Sequence, residues 1–126
     1  MQCVVKLAPD IIKPVDPEFR TIHPRLTNPR FHPFFNNCIG AIDGTHIPCM
    51  VPRDRLVQHM CRKGMTTQNM MVVCDIDMRF IFVLAGWPGS IHDMKAFNDA
   101  MTKYSHVFPH PPTGKYLATI EFAASS

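Results

Sequence analysis

A chain of 126 residues with 46% hydrophobic and 18% charged residues can bury one modest core and is too apolar to be a disordered tail. Thirteen Lys plus Arg against ten Asp plus Glu give a net charge of +3. That balance is compatible with nucleic acid but too small to argue for it unaided.

Five cysteines, at 3, 38, 49, 61 and 74, include no C-x-x-C pair. The scatter excludes a spaced zinc motif and predicts reduced thiols in a soluble intracellular protein, nuclear or cytoplasmic. The N-terminus "MQCVVKLAPD" lacks the apolar stretch and cleavage site of a secretory signal. The longest apolar run, "FIFVLAGW", is too short for a bilayer, so no membrane partner is expected.

Residues 1–37 carry Pro9, Pro14, Pro17, Pro24, Pro29 and Pro33. That spacing predicts an extended arm with turns and no long helix, its end anchored on the core by Phe31, Phe34 and Phe35. From Cys38 the pattern changes. "CIGAID" predicts a short apolar strand closed by the Asp43-Gly44 pair, a favoured turn dipeptide, with "THIPCMV" as a proline-limited strand running back. Residues 53–66 are more polar, and Gly64 ends any helix there.

"TQNMMVVCDID" and "RFIFVLAGW" predict two buried strands joined tightly around Asp77 and Met78, with Asp75 and Asp77 as turn acids. Their near-continuous apolar character implies a sheet covered on both faces. After the "WPGS" turn, Ser90 and Asp93 form an S-x-x-D helix start, an acid there satisfying amide donors and favouring the helix dipole. The helix "IHDMKAFNDAMTKY" places Ile91, Met94, Phe97, Ala100, Met101 and Tyr104 on one face. Trp87 packs the strand-to-helix corner. The last strand, "KYLATIEF", follows a proline-rich loop, and a right-handed crossover makes it parallel to an earlier strand. The expected fold is α/β, a mixed sheet in the order strand-strand-strand-helix-strand.

The words of the sequence are more specific than its pattern. "GAIDGTHIP", followed by "RKGMTTQNMMVVCDIDMRFIFVLAGWPGSIHDMKAF", resembles the PIF/Harbinger family of DDE transposases and the nucleases derived from them. "HPRLTNPRFHPFFNNCIGAIDGTHI" is similar to the segment that leads into the catalytic domain of plant members. The resemblance runs from about residue 13 to 117. It implies a ribonuclease-H-like fold, residues 1–37 forming the arm and 38–126 the N-terminal part of the DDE endonuclease domain. It also implies DNA as substrate, and divalent metal, Mg or Mn, held by three carboxylates for phosphodiester cleavage and strand transfer.

Carried onto this sequence, the first carboxylate falls on Asp43. The second belongs in a "VDAGY"-like stretch, where "GKYLATIEFAASS" matches only through Gly114, Lys115 and Tyr116. The aspartate position is then Ile120, with Glu121 one residue late. A one-residue slip in a strand turns the side chain to the other face, so Glu121 is a poor stand-in. The third acid, on a later helix, would lie beyond Ser126. The resemblance therefore implies a C-terminally truncated copy, without the helix-turn-helix region that precedes this domain in relatives. Metal binding is expected to be weak or absent, and nuclease activity slight or nil.

Each candidate residue has a plainer role beside the functional one. Asp43 is a metal-ligand position or a turn acid, and Asp93 a helix cap or a metal-supporting group. His46 and His92 are surface histidines or supports of the site. Arg53, Arg55, Arg62 and Lys63 contact phosphates or form a solvated face. Two other classes stay open: a domesticated non-catalytic module that binds DNA or a partner protein through residues 13–37 and 53–63, and a degenerate gene product with exposed apolar surface. A DNA-binding partner protein fits the first of these.

Overall fold

The computed structural model describes residues 2–119. In chain order the elements are α1 (Gln2–Ile11), a 3-10 turn (Pro24–Thr27), β1 (Cys38–Pro48), a second 3-10 turn (Arg53–Arg55) running into α2 (Leu56–His59), β2 (Thr67–Cys74), β3 (Phe80–Pro88), α3 (Asp93–Thr102) and β4 (Tyr116–Thr119). The four strands form one mixed sheet in the order β3-β2-β1-β4. The fold is the α/β, ribonuclease-H-like arrangement expected, three strands, a helix and a strand.

Two expectations fail in an informative way. Asp43-Gly44 makes no turn: "CIGAIDGTHIP" is one continuous strand of 11 residues, and the two residues lie in its middle. The dipeptide's turn propensity yields to the neighbours, because Gly44 sits where another chain segment comes close (below). The proline-rich arm is also not wholly extended. Its first proline is residue 9, which leaves room for α1, with Pro9 inside its last turn.

The residues fall into two compact units. The first comprises the chain up to Ile42, Val73–Phe82 and the chain from Pro109 on. Its core is Leu26, Ile39, Ile42, Val73, Ile81 and Phe82. Within it β4 pairs parallel with β1, Cys38 against Tyr116 and Ile42 against Thr119, with a register irregularity between Cys38 and Gly40. Leu26, on a turn that Pro24 opens, anchors the arm. Of the phenylalanines expected to do so, Phe34 is 79% exposed and Phe31 is exposed, while Phe35 is half-buried and meets Phe31 edge-on.

The turn from β2 to β3 has Met78 at φ 65°, and the amide of Asp75 donates to the Arg79 carbonyl. So short a link leaves only antiparallel pairing. Asp75 and Asp77 act here as turn acids, accepting from Arg79, and His23 Nε2 lies 2.9 Å from Asp77.

The second unit comprises Asp43–Val72 and Val83–Phe108. Met71, Val72, Ala96, Ala100 and Phe108 are its apolar core, and Phe97 meets Phe108 edge-on at 6.3 Å. The helix face expected from spacing is partly displaced. Ala96 joins Ala100 inside, whereas Met94 and Tyr104 are exposed. The two alanines are fully buried, while Phe97 and Met101 on the expected face are half-buried. Trp87 closes the corner as expected, its indole Nε1 donating to Asp99 Oδ2 at 3.0 Å.

Candidate active site

Polar residues buried inside apolar strands must be paired, and they mark where a sheet carries something other than packing. In β2 two such residues stand one strand repeat apart. Thr67 is 1% exposed and Asn69 is fully buried. Period-two alternation puts both on one face.

Asn69 Nδ2 donates at 3.0 Å to the Ile91 carbonyl and at 3.0 Å to Asp93 Oδ1. Thr67 Oγ1 lies 3.1 Å from His46 Nδ1. One face of β2 thus grips the start of α3 and a side chain of β1.

The same face explains Gly44. A Cβ there would lie 2.8 Å from Asp93 Oδ2 and closer still to Oδ1, so any side chain would displace the Asp93 carboxylate. Gly89 serves likewise: a Cβ would come within 2.6 Å of the His59 and Thr67 carbonyl oxygens. His92 takes the N-cap place without a side-chain cap bond, and Asp93 is the first helical residue. The expected Ser90–Asp93 capping arrangement does not form. The Asp93 carboxylate is taken by Asn69, while its charge still complements the helix N-terminus.

Around this framework lies an open cleft of about 1190 Å³, lined among others by His46, Cys61, Arg62, Lys63, Thr67, His92 and Asp93. Arg62 Nη2 is 3.5 Å from His92 Nδ1. The Lys63 backbone amide, assisted by that of Met65, lowers the Cys61 thiol pKa.

Of the residues singled out from sequence, His46, His92, Asp93, Arg62 and Lys63 therefore share one cleft. Arg53 and Arg55 sit on the exposed 3-10 turn and do not line it. Asp43 is exposed on β1. It directly precedes Gly44, which lines the cleft, but is not itself among the lining residues. Glu121 lies outside the described residues. Asn69, Thr67 and the two glycines were missed, although the amides Gln68 and Asn69 ahead of the apolar "MMVV" were a usable signal.

Among the described residues, no three His, Cys, Asp or Glu side chains gather as a metal-ligand group. With no such group and Asp93 Oδ1 engaged by Asn69, the described residues do not fit a divalent-cation pair. Nor is any helix among them long and apolar enough to cross a membrane.

A mixed sheet with an acid on β1, followed by a hairpin, a helix and a parallel strand, is the ribonuclease-H-like order, and the family match agrees with it. The family model described as DDE superfamily endonuclease matches residues 42–126, more than half of the chain. The chain belongs to that family, in its Harbinger transposase-derived branch.

Over 83 residues it is 39% identical to Protein ALP1-like of Arabidopsis thaliana, covering 64% of this chain and 19% of the relative. It is 38% identical over 55 residues to HARBI1 of Rattus norvegicus, which carries the name of a nuclease, covering 44% of this chain and 16% of the relative. The HARBI1 of Homo sapiens is 33% identical over 55 residues, again 44% of this chain and 16% of the relative. The chain thus spans about a fifth or less of the length of these relatives. No solved structure matches it.

Proposed function

We propose that this chain is a piece of a metal-dependent DNA endonuclease or transposase domain. In this reading it carries the first catalytic acid at Asp43 and a basic lip for DNA phosphates at Arg62 and Lys63, and it does not cleave DNA by itself. The observation that carries the reading is Asp43 itself, an exposed acid midway along β1, within the segment that the DDE endonuclease family matches.

Divalent cations, Mg or Mn, serve the superfamily by activating the attacking oxygen and stabilising the leaving one. The described residues offer no carboxylate set for that work. What this chain's own residues can do is neutralise phosphates and present Asp43.

Two assays test the reading. Incubated with supercoiled plasmid and Mg or Mn, the 126-residue chain should give no nicking. Turnover that Asp43→Ala abolishes would overturn the inactivity. In binding titrations over a range of salt, affinity for DNA should fall as salt rises. Arg62→Ala with Lys63→Ala should flatten the log–log slope by about 1.5. A slope unaffected by the pair would remove them from the interface.

A further inference from the structure

The cleft in the second unit combines two chemistries. Arg62, Lys63, His46 and His92 give it cationic and imidazole groups, and Met60, Met65 and Met94 line it as well. These thioethers are 46%, 51% and 67% exposed, although methionine is ordinarily a core-filling residue. The cleft has one carboxylate, Asp93, and its Oδ1 already accepts from Asn69. A ligand that suits such a surface carries negative charge and apolar faces together.

Duplex DNA meets only half of that description, because its phosphates lie outermost while its base faces are stacked inside. An unpaired strand offers both at once: phosphates along the backbone and open π-faces on its bases. Methionine suits the second partner. Its unbranched, polarizable side chain adapts to a flat ring, and apolar side chains of this kind separate base steps in other DNA-binding proteins.

We propose that this cleft holds an unpaired segment of DNA, its phosphates on Arg62 and Lys63 and its bases against Met60, Met65 and Met94. The inference rests on the DNA-directed reading above and names the form of DNA that the site takes. Contact is through base faces, so the cleft tolerates any base sequence.

Fluorescence anisotropy with the full 126-residue chain tests it. The probes are a labelled single-stranded oligodeoxynucleotide, the same sequence as a duplex, and an acidic amphipathic peptide. The single strand should bind about tenfold more tightly than the duplex, the combined effect of a few sulfur–ring contacts. The triple variant Met60→Ser, Met65→Ser, Met94→Ser should bring single-strand affinity down to the duplex value and leave duplex affinity and salt slope unchanged. Arg62→Ala with Lys63→Ala should weaken both. The three methionines are exposed, so the variants should fold, which circular dichroism checks. Met94→Ser alone should still lower the preference about twofold.

Equal affinity for the two DNA forms, or a preference that survives loss of the methionines, overturns the inference and leaves the DNA-directed reading standing. Binding of neither DNA form sinks both. Binding of the acidic peptide in place of DNA overturns the inference and makes the cleft a protein-docking groove.

Discussion

Asn69 Nδ2 holds Asp93 Oδ1 at 3.0 Å, and through the same amide it holds the Ile91 carbonyl. A single fully buried side chain of β2 thereby fixes the first turn of α3. Among the described residues its own Oδ1 has no partner. The two donated bonds must offset the cost of that orphaned oxygen, and both go to one helix start.

Removing the amide should therefore cost stability. Asn69→Ala should lower unfolding free energy by about 2 kcal/mol, from lost bonds and a small cavity. Asn69→Asp should give a pH-dependent deficit. Two carboxylates within hydrogen-bond reach cannot both ionise, so one of the pair is raised in pKa in the folded state. A raised folded pKa contributes less as pH climbs through it, so the variant should be weaker at about pH 7 than at about pH 4. Urea melts of wild type and variant at the two pH values check this, and a deficit independent of pH would count against the contact.

Gly44→Ala should destabilise the chain by about 1–3 kcal/mol, because the new methyl group falls on the Asp93 carboxylate. The obstacle is a side chain, so Asp93→Ala in the same molecule should recover part of the loss. The coupling between the two substitutions should exceed about 0.5 kcal/mol, measured by a double-mutant cycle. Gly89→Ala meets the Thr67 hydroxyl and, beyond it, carbonyl oxygens of the His59 and Thr67 backbone, so removing the hydroxyl alone should not rescue it.

Where sequence and structure part, the reason is close approach. The apolar runs "TQNMMVV" and "RFIFVLAGW" read directly as β2 and β3, since a strand buried on both faces needs little else. Asp43-Gly44 did not, because glycine in a turn and glycine under a helix start look alike until the helix is in place. The helix face behaved similarly. Spacing placed Met94 and Tyr104 inside, but the fully buried positions are Ala96 and Ala100, with Phe97 half-buried against Phe108. Asn69 was legible as one of two amides ahead of the apolar "MMVV". Its partners, Ile91 and Asp93, lie more than twenty residues away and could not be read from spacing.

The cysteines should differ in reactivity. The backbone amides of Lys63 and Met65 favour the Cys61 thiolate, whereas burial pushes the Cys74 thiol up, with the Asp75 charge adding to it. The thiolate is the nucleophile, so iodoacetamide at about pH 7.5 should label Cys61 ahead of Cys74. Peptide mapping by mass spectrometry at short times checks the order. Faster labelling of Cys74 would mean that the turn at Cys61–Gly64 does not present its amides to the sulfur.

The β3–α3 corner should be acid-sensitive. The indole of Trp87 donates to Asp99 Oδ2, and that bond, with the Lys103 and Lys95 charges, holds the Asp99 carboxyl below its usual value. A depressed folded pKa contributes stability above the unfolded pKa and loses it as pH falls through the folded one. Wild type should thus lose stability between about pH 5 and pH 2 at this corner. Trp87→Phe removes the leading cause of the shift while keeping an aromatic ring. The variant should be less stable at neutral pH, and the gap to wild type should narrow as pH drops. Thermal melts across that range decide it: a gap that stays constant would assign the Trp87 contribution to packing, with the hydrogen bond to Asp99 contributing nothing.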